Sequence, residues 1–117
     1  MSPLPQRTPT DLVAVREGCK EDFLKRHAKG KGRAREVWAS LVAKAPQLQA
    51  DTSFGPIFSP PRLPAFLKHV WPLRVVKGLP HAFRGVYTVV RNDEDGIVVR
   101  IEWVGDHGEY EALFGYA

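Results

Sequence analysis

The chain has 117 residues, of which 44% are hydrophobic, and it contains six Phe, three Tyr and three Trp. This length and this apolar content predict one folded domain and exclude a disordered chain. No apolar run approaches about 18 residues and no signal peptide opens the sequence, so we expect no membrane partner. The single cysteine, Cys19, excludes an internal disulfide, and we therefore expect a cytoplasmic protein.

The formal net charge of +4 is distributed unevenly along the chain. Residues 51–91 carry six Lys or Arg and one Asp, whereas residues 92–117 carry one Arg and seven acidic residues. A basic body with an acidic end suits a polyanionic partner, with nucleic acid as the first candidate and an acidic protein as the second. The alternative is an ordinary solvated surface.

The first half of the chain has a helical pattern. Residues 1–10 are rich in Pro and predict a flexible arm. Apolar residues at helical spacing predict two helices, at about residues 17–28 and about residues 32–45. The short break at residues 29–32 between them predicts a helical hairpin, and we expect Pro46 to end it.

The second half of the chain changes to the period of strands. Residues 51–64 are rich in Gly, Pro and Ser and predict a loop. Alternating apolar residues predict three strands, at residues 73–77, 84–91 and 97–104. Residues 92–96 join the last two strands as a five-residue hairpin loop, in which Gly96 can take positive φ.

This order of elements predicts an α+β fold. An N-terminal helical hairpin packs on a small, twisted antiparallel sheet, and a short helix or coil ends the chain. We expect residues 11–117 to form one domain that contains all of these elements.

The hairpin register decides which strand residues share a face, because side chains alternate along a strand. If the loop places Arg91 opposite Ile97, the core face carries Ile97, Val99, Ile101, Trp103, Tyr87 and Val89. The second face carries Arg84, Val86, Thr88, Val90, Val98, Arg100, Glu102 and Val104. In this register Arg84 lies opposite Val104, three residues before His107, whereas a slip of one residue would turn Arg84 away.

The segment that follows the last predicted strand combines His107 with Tyr110. Histidine is the side chain best suited to proton transfer near neutral pH, so His107 is a candidate general acid or base. Tyr110 can donate a hydrogen bond or stack on a nucleobase. Arg84, and less surely Lys77 and Arg74, can hold a phosphate and stabilise developing charge. The alternatives are a surface or capping role for His107 and core packing for Tyr110.

Further basic residues are candidates for RNA binding. Arg74 and Arg100 lie on the predicted strands, and Lys29, Lys31 and Arg33 cluster at the helix break. Arg84 or Arg100 can instead form a surface ion pair with Glu102. The other histidines are scattered and no cysteine pair or Gly-rich phosphate loop occurs, so we expect neither a metal nor a cofactor.

Two motifs resemble those of the RelE/ParE superfamily of bacterial toxins. One is R-x-x-Y-x-V, which begins at Arg84, and the other is H-x-x-Y, which runs from His107 to Tyr110. The resemblance covers about residues 66–116 by motif and residues 12–50 by the arrangement of elements alone. The chain departs from the family in its short candidate for the first strand, before the helices, and in its long loop 51–64.

The resemblance implies a small cytoplasmic ribonuclease that cleaves mRNA, often on the ribosome, and that a cognate antitoxin protein neutralises. It implies Lys77 and Arg84 as basic residues around the phosphate, with His107 and Tyr110 at the terminal site. Two alternatives are a ParE-like toxin that inhibits DNA gyrase by protein binding and a non-catalytic nucleic-acid-binding module. The pair His107 and Tyr110 favours the nuclease, because gyrase inhibition needs no acid–base pair.

Overall fold

The computed structural model describes residues 13–50, 58–70, 72–76, 78–92 and 96–116. The predicted arm at residues 1–10 lies outside the described residues. The strands are β1 (Val13–Val15), β2 (Leu73–Val76), β3 (Arg84–Asn92) and β4 (Gly96–Gly105). The α-helices are α1 (Cys19–Arg26), α2 (Lys31–Ala43), α3 (Ala45–Ala50) and α4 (His107–Phe114). The predicted α+β class is therefore confirmed, and the chain after the last strand forms a helix.

The sheet is mixed, with the strand order β1-β4-β3-β2. Strands β2, β3 and β4 are antiparallel neighbours, as the sequence predicts. The expectation of a wholly antiparallel sheet is wrong at one edge, because β1 runs parallel to β4. A parallel pair needs a long crossover, and here helices, loops and two further strands separate β1 from β4 along the chain.

Both predicted helices are present, but the helical region does not end where the sequence suggests. Helix α2 ends at Ala43, Lys44 forms a turn, and α3 begins at Ala45. Pro46 therefore lies in the first turn of a new helix. Its missing N–H costs nothing there, because the first N–H groups of a helix have no partner within the helix.

The predicted hairpin register holds next to the loop and changes at a β-bulge. Arg91 pairs with Ile97 as predicted, but Tyr87 pairs with Ile101 while Val86 pairs with Trp103. Glu102 is therefore the extra residue of β4, a two-against-one arrangement that shifts the rest of the strand by one position. As a result Arg84 pairs with Gly105 rather than with Val104.

An apolar core lies on each side of the sheet. On the first side, α1 and α2 cover Tyr87, Val99, Ile101 and Val104. On the second side, residues from 58–70 and α4 pack against Val86 and Trp103. The predictions for Trp103 and Val104 are wrong, because the bulge exchanges the faces of both residues. In the described part of the chain, no helix combines the length and apolar character needed to cross a membrane.

Candidate functional site

Helix α4 begins with a capping box. The Asp106 carboxylate accepts the Glu109 N–H at 2.8 Å, and Glu109 Oε1 accepts the Asp106 N–H at 2.9 Å. This reciprocal pair satisfies two backbone donors that the start of a helix leaves free, and so it fixes the first helical turn. It places His107 as the first helical residue, with Tyr110 one turn later.

On one side of α4, Glu109 is the centre of an ion-pair network that we call the Glu109 network. Arg26 Nη1 lies 2.6 Å from Glu109 Oε2, and His27 Nε2 lies 2.6 Å from Glu109 Oε1. Arg26 also donates to the Asp22 carboxylate at 2.9 Å and to the Val104 carbonyl at 2.6 Å. Every nitrogen of this guanidinium therefore has a protein acceptor.

The network holds Glu109 in its charged form. Burial opposes the charge, but the hydrogen bonds from the Asp106 N–H, Arg26 and His27 outweigh burial and lower the pKa of Glu109 below its ordinary value. His27, Asp106 and Glu109 also offer ligand atoms within 4.8 Å of one another. A metal ion there would compete with Arg26 for the same carboxylate, and this arrangement instead fastens α1 to α4.

On the other side of α4, Arg84 has an aromatic neighbour and, in the described part of the chain, no carboxylate within ion-pair distance. Its Cζ lies 5.4 Å from the centroid of the Tyr110 ring. Arg84 Nε is buried and has no hydrogen-bond partner among the described residues. Buried polar groups almost always have partners, so an arginine with a free donor on an aromatic ring is a candidate site for an anion.

The turn before Arg84 is strained. His81 and Ala82 have φ values of 59° and 61°, in the left-handed region that residues other than glycine rarely adopt. The next residue, Phe83, is buried, and its ring lies 5.9 Å from Phe23 and 5.1 Å from His27. This packing holds the turn in place and fixes the point at which β3 and Arg84 begin.

Tyr110 is packed more tightly than the sequence suggests. Its ring stacks on Phe58 at 5.6 Å and on Tyr116 at 5.3 Å, measured between centroids. Burial, followed by a hydrogen bond to Tyr116, raises the pKa of Tyr110 to about 12. Tyr110 therefore keeps its proton at neutral pH and supports Arg84, which favours the alternative of core packing over direct stacking on a base.

His107 lies exposed at the start of α4. Its Nε2 is 2.5 Å from Glu111 Oε1, one helical turn away, and 54% of the His107 side chain is accessible. A carboxylate at this distance orients the imidazole. Because Arg84 pairs with Gly105, two residues before His107, the sheet brings Arg84 and His107 to the same end of the strands.

The remaining predicted RNA-binding residues lie in varied surroundings. Arg100 Nε lies 2.5 Å from the carboxylate of Glu102, which is 1% exposed, so Arg100 neutralises a buried charge. Arg74 is half-buried and pairs with Tyr87 across the strands. The side chains of Lys29 and Arg33 are exposed. Lys77 lies outside the described residues, as does the side chain of Lys31.

A groove of about 540 Å³ lies between α1 and α4. Its lining includes Arg26, Arg62, Trp103 and Leu113. Arg62 donates to the Ala112 and Leu113 carbonyls at the end of α4, and the Arg26 guanidinium lies 5.5 Å from the Trp103 ring. Both arginines of the groove therefore already have protein partners, whereas the buried Nε of Arg84 has none among the described residues.

Sequence reasoning missed two parts of this region. The first is the Glu109 network, whose only local signal is the spacing Asp106-x-x-Glu109 of a capping box. The second is Phe58, which lies in the predicted loop 51–64 and stacks on Tyr110. No local pattern reveals either contact, because Arg26 and Phe58 are each distant in sequence from the helix that they touch.

Comparison with known proteins yields no match: no family model, no curated protein and no solved structure corresponds to this chain. The candidate functional residues are therefore Arg84 with its aromatic neighbour Tyr110, and the pair His107 and Glu111.

Proposed function

We propose that this chain is a RelE/ParE-superfamily toxin of a type II toxin–antitoxin system, and that it acts as a metal-independent endoribonuclease on mRNA. The motifs that begin at Arg84 and His107 support this proposal. So does the order of elements, in which a short strand and two helices precede the antiparallel strands and a C-terminal helix. The proposed protein is cytoplasmic, acts on free or ribosome-bound mRNA to inhibit translation, and is neutralised by a cognate antitoxin.

The observation that carries the proposal is the buried Nε of Arg84, which has no hydrogen-bond partner among the described residues. Arg16, Arg26 and Arg100 each lie within 4.0 Å of a carboxylate, whereas Arg84 forms no ion pair with any described residue. Leaving a buried donor unsatisfied costs free energy, so such a group needs a functional explanation. A phosphate of RNA would provide both the missing acceptor and the missing charge.

The chemistry that we assign to this site is transfer of the phosphodiester to the neighbouring 2′-oxygen. His107 accepts the proton of the 2′-hydroxyl, and the 2′-oxygen forms a bond to phosphorus. The bond from phosphorus to the 5′-oxygen breaks, and the imidazolium returns a proton to that oxygen. Arg84 stabilises the charge on the phosphorane, and Glu111 orients His107. The products are a 2′,3′-cyclic phosphate and a 5′-hydroxyl.

A cleavage assay tests this proposal, with a free mRNA in the presence of EDTA as one substrate. The second substrate is the same mRNA on translating ribosomes, in a buffer with the Mg²⁺ that ribosomes need, and the variants are Arg84→Ala and His107→Ala. We expect each variant to cut at least about 100-fold more slowly than the wild type. The matched controls are Arg35→Ala and His69→Ala, which remove an exposed Arg and an exposed His away from the site and should cut at the wild-type rate.

Three other outcomes of the cleavage assay would each contradict a different part of the proposal. If the wild type cuts neither substrate, the nuclease proposal is wrong, and inhibition of DNA gyrase becomes the function to measure. If the wild type cuts and His107→Ala cuts equally fast, the assigned proton transfer is wrong. If EDTA abolishes cleavage, the reaction depends on a metal and the proposed mechanism fails.

A further inference from the structure

The rings of Phe58, Tyr110 and Tyr116 form a stack that runs from the core to the surface, and we call it the aromatic ladder. The Tyr110 and Tyr116 rings are within 12° of parallel, and those of Tyr110 and Phe58 are within 29°. Phe58 is 3% exposed, Tyr110 is half-buried, and Tyr116 is 46% exposed. The ladder therefore ends in an aromatic surface that faces solvent.

Tyr116 is exposed although its position is fixed by several contacts. Its N–H donates to the Glu111 carbonyl at 2.8 Å, and its ring stacks on that of Tyr110 at 5.3 Å between centroids. Gly115, with φ of 83°, ends α4 in the left-handed conformation, and an added Cβ there would lie 3.0 Å from Arg62 Cβ. The backbone thus directs Tyr116 back over the helix, where its ring meets that of Tyr110.

We propose that the exposed ring of Tyr116 is the stacking surface for an unpaired nucleobase of the RNA that Arg84 binds. This inference rests on the proposed function. The Arg84 guanidinium lies 5.4 Å, and the Tyr116 ring 5.3 Å, from the same Tyr110 centroid, so a cation for phosphate and an exposed aromatic ring both neighbour Tyr110. Single-stranded RNA is recognised through this combination of charge and stacking.

The ladder also explains why the stacking residue is Tyr116 rather than Tyr110. The Tyr110 ring already contacts Phe58, Tyr116 and the Arg84 guanidinium, so a base would have to displace one of them. Tyr116 is 46% exposed, so a base on its ring adds one more layer to the stack without breaking these contacts.

Binding to a single-stranded RNA oligomer with 2′-O-methyl riboses tests this inference, because such an oligomer cannot be cleaved. A 2-aminopurine base placed at successive positions reports stacking through loss of its fluorescence. We expect Tyr116→Ala and Tyr116→Leu to weaken binding about 10-fold and to abolish the quenching at one position. Tyr116→Phe keeps the ring and should keep both properties. Tyr116→Leu retains apolar contact with Tyr110, so it serves if the alanine variant folds poorly.

Phe66→Ala is the matched control. Phe66 is another exposed aromatic residue, 42% accessible, and its ring lies on Arg16 instead of the ladder. We expect this variant to bind and to quench like the wild type. Equal losses in Phe66→Ala and Tyr116→Ala, or undiminished quenching in Tyr116→Leu, would overturn the inference.

Failure of the inference can be distinguished from failure of the proposed function. If the wild type binds the oligomer, Arg84→Ala weakens binding and Tyr116→Ala does not, only the role of Tyr116 is wrong. If the wild type neither binds the oligomer nor cuts mRNA, the proposed function itself is wrong.

Discussion

Arg26 and Arg84 lie on the two sides of α4, and they differ in the hydrogen-bond partners that the protein offers them. On one side, Arg26 donates to Glu109, Asp22 and the Val104 carbonyl, and so its charge is fully matched. On the other side, Arg84 lies on Tyr110, and its buried Nε has no acceptor among the described residues. A charge matched within the protein contributes to the fold, whereas an unmatched donor is available to a ligand. This contrast indicates a stabilising role for the Glu109 network, and it is the basis on which we propose Arg84 as a binding residue.

The largest effect on stability is expected from Glu109→Ala. This change removes half of the capping box and leaves Arg26 and His27 without their shared acceptor, so we expect a loss of about 3 kcal/mol in the free energy of unfolding. Urea unfolding measures it. Glu111→Ala on the same helix removes only the exposed pair with His107 and should cost less than about 1 kcal/mol. Similar losses in both variants would mean that the network does not fasten α4.

A second test compares the two arginines directly. Arg26→Met should lower the free energy of unfolding by about 2 kcal/mol, because Glu109 loses its cation and the Val104 carbonyl loses a donor. Arg84→Met keeps the contact with Tyr110 and removes an unsatisfied donor, so we expect stability within about 0.5 kcal/mol of the wild type, or above it. A large loss in Arg84→Met would show that Arg84 is a structural residue.

The smallest effect is a dependence of stability on pH. Glu109 has a pKa below its ordinary value of 4.5 in the folded state, so its charged form stabilises the fold above that pH. The contribution should be lost progressively as the pH falls below about 4.5 and towards the folded-state pKa. Unfolding of Glu109→Gln, measured over the same range, should show a weaker dependence on pH. An identical pH profile would place the acid sensitivity in another carboxylate.

The local pattern of apolar residues predicts much of the sheet in this protein. Alternating apolar residues locate β2, β3 and β4, and a five-residue loop predicts the pairing of Arg91 with Ile97. The bulge at Glu102 could not be predicted from this pattern, because the alternation of apolar residues continues through Glu102 without interruption. Glu102 is held by Arg100 of the same strand and lies 3.8 Å from Arg16, and the contact with Arg16 joins residues that are distant in sequence.

The sequence by itself determines the periods of the helices and strands and the three-residue spacing of His107 and Tyr110. These features depend on neighbours a few residues apart, whose geometry the backbone dictates. Only the tertiary structure decides which arginine meets a carboxylate. Arg26 and Glu109 are 83 residues apart and form an ion pair at 2.6 Å, while Arg84 meets an aromatic ring and, among the described residues, no carboxylate. Charge compensation depends on distance in space, and packing alone sets that distance.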